Sequence, residues 1–536
     1  MRTIARAALQ LAKIWHHADM HATLPQLINA LLQSSCYSHP VQSVELVQTH
    51  ISWVLLAGEF AYKIKKPVTL QFLDFGTLEQ RRVCCEDELR LNRRFAPDIY
   101  LELVTITGTP AQPLLGGPGE AIEYAVKMRR FDEAGRLDRV CERGELRPEH
   151  LSELAQVLTA FHANAAVAPL GSRFGAPGTV LAPMIDNLNI SSELLPGADC
   201  QSRLAALRTW TMTQWEFLTP LLEQRKASGH VKECHGDLHL GNLVLIQGRV
   251  HMFDCIEFNP DYRWIDVASD MAFTYMDLLQ HQQPGLANWF VDQTLSASGD
   301  YEAAPLLRFY AVYRALVRAK VAAIRYGQKS RQMAGQDAQE LANAMSYIAL
   351  AERLAAPNMP RLVITHGLAG CGKTTVSSQL LLQDRDASTL RLRSDVERKR
   401  LFGLSALQPS GSAVDGGIYV TDAHERTYDR LHDVAQKVLL SGWSGVVDAA
   451  FLRRAERARF EALAQQCGAA FAILAPEVTV EKLRERITAR QVAGRDASEA
   501  TLAVLEKQLG WIEPLDAHEL TFRLEPVCQI ESQFGI

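Results

Sequence analysis

The run RLVITH (361–366), GLAGCGKT (367–374), TVSSQLLL (375–382) decides the fold of the rear part of this chain. An apolar strand leads straight into a glycine-rich turn, and the turn opens a helix. The spacing is a full G-x-x-x-x-G-K-T in the context that motif requires. Glycines let backbone N–H groups turn inward around an anion, and the helix N-terminus adds partial positive charge. Lys373 is placed to bridge the β- and γ-phosphates of ATP, and the Thr374 hydroxyl to ligate Mg²⁺. The expected cradle is therefore Gly367, Leu368, Ala369, Gly370, Cys371, Gly372, Lys373, Thr374 and Thr375.

Outward from this run, strand and helix patterns alternate at 361–365, 373–382, 389–393, 425–440, 445–448, 455–467 and 470–474. That order predicts a parallel α/β sheet with right-handed crossovers. Asp395 follows the second strand, where a carboxylate accepts a proton from a substrate hydroxyl or caps a helix. Asp448 ends an apolar strand and is a candidate Mg²⁺ ligand through water. Arg486, Arg490 and Arg495 sit in LRERITARQVAGRDASEAT, a segment suited to fold over a transferring phosphoryl group; Arg490 and Arg495 are the catalytic candidates. From 361 to about 515 the chain resembles the nucleoside/gluconate-kinase-like branch of P-loop kinases, with zeta-toxin and polynucleotide-kinase-like members. The resemblance implies an ATP-dependent kinase or ATPase and leaves the acceptor open.

The run AAPNMP (355–360) breaks the preceding helix and marks a linker. Ahead of it lies HGDLHLGN (235–242), followed by Asp254 twelve residues after Asn242, in HMFDCIEF. Phosphoryl transfer to a hydroxyl needs a carboxylate at the nucleophile and ligands for the metal on the nucleotide phosphates. Asp237 suits the first role; Asn242 and Asp254, joined by a short hairpin at 243–246 and 250–253, suit the second. Strand patterns at 44–47, 51–56, 59–65, 99–106 and 121–128 precede this site, with a tight turn at Ala57-Gly58 and a charged helix at 78–95. From 150 to about 324 the pattern is mostly helical.

HGDLHLGN with FDCIEF resembles the aminoglycoside phosphotransferases and their choline- and homoserine-kinase relatives, and the D-x₄-N spacing mirrors the protein-kinase catalytic loop. The resemblance implies a kinase-like two-lobe fold, with Asp266 and Asp270 structural and His235 positioning the loop. It also implies a nucleotide-clamping lysine on the third strand. Lys63 in FAYK takes that place, with Lys65 on the same strand face as reserve, and Glu88 is its preferred partner ahead of Glu86. No G-x-G-x-x-G precedes Lys63; the loop at 49–52 would stand in its place, and the segment at 123–128 would face the adenine. The whole chain resembles bacterial fusions of an aminoglycoside phosphotransferase-like domain with a P-loop ATP-binding domain.

The expected layout is an extension at 1–22, a kinase-like domain at 23–354 (small lobe about 40–130, large lobe about 131–354), a linker at 355–360 and a P-loop domain at 361–536. A length of 536 residues suits two or three domains. A net charge of −5 offers no whole-chain attraction for nucleic acid or anionic membrane. Ten scattered cysteines without metal spacing suit a reducing cytoplasm, and no apolar stretch approaches the ~18 residues of a membrane span. Arg314, Arg318 and Arg325 fall on one face of a helix, which would favour an anionic acceptor if that face lined the cleft. The combined expectation is an ATP- and Mg²⁺-dependent phosphotransferase acting on a hydroxyl of a small molecule. A regulatory ATP-binding module, or a kinase acting on a protein or nucleic-acid end, is also compatible with these motifs.

Overall fold

The computed structural model describes residues 24–70, 73–332, 338–411, 417–493 and 497–524. The extension at 1–22 lies outside them, as does Arg495. Two compact units emerge: Met1–Leu146, Phe161–Thr179 and Leu222–Asp270 form the first, and Arg147–Ala160, Val180–Leu221 and Met271–Ile536 the second. The break at 355–360 falls inside the second unit.

The first unit opens with strands β1 (Val44–Gln48), β2 (Ser52–Ala57) and β3 (Phe60–Lys65), and a small hairpin of β4 (Thr69–Leu70) and β5 (Leu73–Asp74). Strands β6 (Tyr100–Thr109), β7 (Gln112–Leu115) and β8 (Glu123–Arg129) complete an antiparallel sheet of order β1-β2-β3-β8-β6-β7. Alternation decides which side chains go where. Trp53, Leu55, Ala57, Tyr62 and Ile64 enter one apolar cluster with Ile28 and Leu31. The intervening Lys63 and Lys65 turn toward helix Leu78–Asn92 on the other face. That helix starts at a capping box: Gln80 N–H donates to Thr77 Oγ1 (3.2 Å) and Thr77 N–H to Gln80 Oε1 (2.9 Å).

Two sequence expectations shift here. The turn between β2 and β3 is Gly58-Glu59, because Ala57 still pairs with Phe60. Gly58 has φ 60°, and a Cβ there would lie 2.6 Å from the Pro40 carbonyl oxygen, so the position requires glycine. The helix expected to 95 ends at Asn92. Beyond it, β9 (Val231–Glu233) pairs with β12 (Trp264–Asp266), and β10 (Leu243–Ile246) pairs with β11 (Arg249–Met252) in the expected hairpin.

The second unit holds a wholly parallel sheet of order β14-β15-β13-β16-β17. Its strands are β13 (Arg361–Thr365), β14 (Thr389–Arg393), β15 (Ser444–Asp448), β16 (Ala470–Leu474) and the short β17 (Arg523–Leu524), the last not anticipated from sequence. The unit also contains helices Pro284–Ser298, Ala304–Gln332 and Ala338–Ala355.

Strand β14 lies at the edge of its sheet, and an open edge leaves N–H groups without partners. Helix Pro284–Ser298 closes it. Thr389 N–H donates to Asn288 Oδ1 (2.9 Å) and Arg391 N–H to Asp292 Oδ1 (2.7 Å). Four residues of helix rise about 6 Å and two residues of strand about 6.6 Å, so an i, i+4 pair matches alternate edge amides. Asn288 Nδ2 also donates to the Leu381 carbonyl (3.1 Å), and the buried Arg391 guanidinium reaches Asp292 (3.3 Å) and Ser378 Oγ (2.6 Å). Burial pushes the Asp292 carboxyl up, against the pull of Arg391. Asp292→Ala should cost about 3 kcal/mol by stranding a buried guanidinium and an edge amide, and Asn288→Ala about 1 kcal/mol, both read from urea midpoints.

Candidate functional site

In the first unit, β3, helix Leu78–Asn92 and the segment after β11 bring the expected residues together. Lys63 Nζ lies 2.7 Å from Glu88 Oε1 and 2.5 Å from Asp254 Oδ1. Glu88 is fully buried, whereas 43% of the Asp254 side chain is exposed, so the cluster opens to solvent on the Asp254 side. Burial alone would raise the Glu88 carboxyl, but Lys63 and Lys65 hold it down at about 2. Burial likewise opposes the Lys63 charge, and Asp254 and Glu88 overcome it, leaving the ammonium well above its ordinary value. The alternative partner Glu86 faces outward and pairs with Arg82.

Asp254 sits at φ 63°, a left-handed conformation that few residues other than glycine, asparagine and aspartate tolerate. Its N–H donates to the Tyr100 hydroxyl (3.0 Å), and Cys255 N–H donates to Asn92 Oδ1 (2.9 Å), which hold the turn in place. At the neck of the hairpin, Phe253 N–H donates to the Asn242 carbonyl (3.0 Å), setting Asn242 beside the residue that precedes Asp254. Asn242 Nδ2 donates to Asp237 Oδ2 (3.0 Å) and to the Asp237 carbonyl (2.9 Å), which orients the Asp237 carboxylate.

The loop carrying Asp237 is built on Asp270. His235 N–H and Gly236 N–H donate to its two carboxylate oxygens (3.0 and 2.8 Å), and the His162 ring lies 3.1 Å away. Gly236 has φ 86°, and a Cβ there would meet the Tyr262 carbonyl oxygen at 2.5 Å. His235 is buried and neutral: Nε2 donates to the Phe253 carbonyl (2.8 Å), Nδ1 accepts from Asp237 N–H (3.3 Å), and burial lowers its pKa. Asp266 is held by Arg225 at 2.7 and 2.9 Å. His239 accepts from Gly241 N–H (3.1 Å) as a local cap.

The loop at 49–52 differs from expectation. Ile51 N–H and Ser52 N–H are taken by Thr49 Oγ1 (3.3 and 2.9 Å), so these amides are spent within the turn. Lys66 Nζ rests on the Thr49 carbonyl (2.6 Å).

In the second unit, Gly367, Gly370 and Gly372 adopt φ of 144°, 83° and 92°, and the turn they make leads into helix Lys373–Gln383. Lys373 Nζ donates to the carbonyls of Gly367 (2.9 Å) and Leu368 (2.8 Å). Ala369 and Cys371 pack with Leu483, Ile487 and Leu505 of helices Val480–Ala493 and Leu502–Trp511. Gln508 Oε1 accepts from Ala369 N–H (2.7 Å), and Arg486 Nη1 approaches the Gly370 carbonyl (3.5 Å). Gln508 was not legible in the sequence; Arg486 belongs to the arginine-rich segment noted there. The Arg490 side chain lies outside the described residues.

Strands β13, β14 and β15 are neighbours and parallel, so the loop at 367–374, Asp395 and Asp448 all lie at the carboxyl end of the sheet. Asp448 is buried, 3.4 Å from Ser377 Oγ and 3.9 Å from Arg393 Nε. Asp395 lies in the first turn of helix Ser394–Leu401, 3.6 Å from Arg398. The donor sets suit the groups the motifs imply. Carboxylate and amide oxygens at Asp254 and Asn242 fit a hard divalent cation, and the glycine loop with Lys373 fits a phosphate chain.

The three arginines of helix Ala304–Gln332 do not form one stripe. Arg314 is buried against the Phe273 ring (4.8 Å), Arg318 lies over Tyr347 (5.8 Å), and Arg325 is exposed.

Residues 362–515 match the family model described as an AAA domain. The uncharacterized protein Rv2004c of Mycobacterium tuberculosis is 30% identical over 486 residues, which cover 89% of this chain and 93% of that protein. This chain belongs to that protein's family. The uncharacterized protein Mb2027c of Mycobacterium bovis matches to the same extent. Among solved structures, a choline/ethanolamine kinase family protein from Mesorhizobium loti is 13% identical, with a TM-score of 0.37, over 59% of this chain and 88% of that one. An aminoglycoside phosphotransferase from Alicyclobacillus acidocaldarius is 13% identical, with a TM-score of 0.37, over 63% and 95%. The matched residues 362–515 span the loop at 367–374 and four of the five strands of the parallel sheet.

The buried Asp270 gives this site a pH signature. Burial would raise its carboxyl, but hydrogen bonds from His162 and the loop amides bring it down to about 2. A depressed folded pKa stabilises the fold above the unfolded value and is lost as pH falls through the folded value. Wild type should exceed Asp270→Asn by about 2 kcal/mol at neutral pH, and the gap should narrow between about pH 4 and 2 in urea titrations.

Proposed function

We propose that this chain is an ATP-dependent phosphotransferase with two nucleotide sites, moving a γ-phosphoryl group to a hydroxyl of a small molecule. The observation that carries the proposal is Lys63 held between Glu88 at 2.7 Å and Asp254 at 2.5 Å, with Asp237 and Asn242 bonded to each other on the neighbouring loop. The functional division we propose is a kinase-like domain at 23–354, a linker at 355–360 and a P-loop domain at 361–536.

At the front site, Lys63 aims its ammonium at the α- and β-phosphates, and Glu88 keeps that ammonium from swinging away. Asp254 and Asn242 supply oxygens for Mg²⁺, which neutralises charge developing on the phosphates when bound. Asp237 accepts the proton of the acceptor hydroxyl as its oxygen bonds to the γ-phosphorus; the bond to the bridging oxygen breaks and ADP leaves. The partial exposure of the Asp237 side chain, 35%, leaves room for an acceptor.

At the rear site, the amides of 367–375 and Lys373 grip a phosphate chain, and Lys373 would exchange its loop carbonyls for phosphate oxygens. Thr374 and Asp448 are the metal-side groups, Asp395 the proton acceptor, and Arg490 and Arg495 the cations over the transferring group.

Incubation of a metabolite extract with ATP, followed by mass spectrometry, should reveal a phosphorylated product. Asp237→Asn should reduce front-site turnover by roughly 10²-fold or more while retaining ATP binding. Lys373→Ala should remove nucleotide binding at the rear loop. ATP-independent product patterns, or patterns unchanged by both variants, would refute the proposal.

A further inference from the structure

We infer that Lys65 and Glu257 form an interior ion pair that positions Glu88 and Asp254, and through them aims Lys63 at the nucleotide. The inference rests on the front-site function proposed above and assigns that site two further positioning residues.

Lys65 follows Lys63 on the same face of β3, and its side chain is 0% exposed. A fully enclosed ammonium cannot touch a ligand. Its Nζ lies 2.5 Å from Glu88 Oε2 and bonds Glu257 Oε1 directly. Glu88 therefore spends one oxygen on each lysine, Oε1 on Lys63 and Oε2 on Lys65. Glu257 stands three residues beyond Asp254, on the segment that also supplies the outer pair.

The result is a ladder with two rungs. The K-x-K of β3 meets the D-x-x-E that follows β11, with Lys63 opposite Asp254 and Lys65 opposite Glu257. Two residues of strand advance about 6.6 Å, enough to offer two charged groups to two carboxylates without crowding. The inner end is pinned further: Arg263 Nη1 donates to the Glu257 carbonyl (2.9 Å), and Lys65 Nζ lies 5.5 Å from the Phe75 ring.

Charge explains why the inner rung is needed. Without Glu257, Lys65 would have Glu88 as its one carboxylate at contact distance and would compete for it with Lys63, which also reaches the half-exposed Asp254. With Glu257 present, Lys65 is satisfied and clamps Glu88 from behind, so the remaining oxygen stays directed at Lys63. Burial opposes the Lys65 charge, and Glu257 and Glu88 overcome it. A pair that merely filled space would be replaceable by apolar side chains at little cost. Here Lys65 contacts Glu88, the carboxylate that holds Lys63, and Glu257 sits three residues beyond Asp254 on the same segment.

The test uses the full chain carrying Lys373→Ala, so that calorimetry reports the front pocket alone. MgATP and adenosine are titrated into this background and into the same background with Lys63→Ala, Lys65→Met, Glu257→Gln, or Lys65→Met with Glu257→Met. Lys65→Met and Glu257→Gln should each weaken MgATP binding about tenfold or more, with adenosine affinity within about twofold of the background. The double variant removes both charges at once and guards against unfolding of the singles. It should keep its urea midpoint and still show the selective loss of MgATP. MgATP binding equal to the background in folded single or double variants would overturn the inference. Equal loss of MgATP and adenosine would also overturn it, by showing general collapse of the pocket. Absence of MgATP binding in the Lys373→Ala background itself, or binding that Lys63→Ala leaves intact, would overturn the front-site function and this inference with it.

Discussion

Charge removed from water must be met by opposite charge at contact distance, and the front unit is organised around that demand. Lys63, Lys65, Glu88 and Glu257 are all buried, and their signs interleave so that each ammonium touches two carboxylates. This arrangement ties together three pieces of the chain: the interior strand β3, the helix Leu78–Asn92 and the turn after the hairpin. Asp254 is the member that reaches solvent, so the cluster is rigid behind and open in front. A site that must grip a polyanion benefits from such asymmetry, because the ligand meets groups already fixed in place.

The rear unit solves a different problem by similar means. A loop that turns its amides toward an anion needs glycines, and glycines confer little rigidity. The rigidity comes from outside the loop. Leu483, Ile487 and Leu505 pack against Ala369 and Cys371, and Gln508 holds the Ala369 amide. Arg391 links the edge of the sheet to the helix that the loop opens, through Ser377 and Ser378 on one side and Asp292 on the other. The helix Pro284–Ser298 is thereby part of the same unit as the parallel sheet. Arg391 thus joins the sheet edge, the covering helix and the helix that the loop opens in one set of polar contacts.

Much of the site was legible in the residues. Period-two alternation sets Lys63 and Lys65 on one strand face, and the resemblance puts the partner carboxylate on the following helix, Glu88 ahead of Glu86. Both inferences match the geometry, with Glu88 on the buried face and Glu86 paired outward to Arg82. The hairpin between Asn242 and Asp254 is likewise where the spacing predicts it. Other features were legible only in outline. The K-x-K and D-x-x-E runs are both visible, but nothing local says that one serves the other. Asn288 and Asp292 are buried in helix Pro284–Ser298 as an i, i+4 pair, and their polar target lies about a hundred residues away. The loop at 49–52 showed hydroxyls and amides suited to a ligand, and the fold spends the Thr49 hydroxyl and the Ile51 and Ser52 amides within the turn instead. Arg314 belonged to an apparent stripe, yet it is enclosed by aromatic rings.

By itself the sequence determined most strands of the two large sheets, the glycine-rich loop at 367–374, the hairpin between Asn242 and Asp254 and the alternation of strand and helix from 361 onward. These depend on periodicity, on glycine's freedom at positive φ and on spacings of a few residues, all of which are local. Tertiary structure alone decided that Lys65 is sealed behind Lys63 and that Glu257 answers it. It also decided that helix Pro284–Ser298 closes the edge of the parallel sheet. Those outcomes depend on which buried charge or unpaired amide finds a partner far along the chain, and only packing in three dimensions makes that choice.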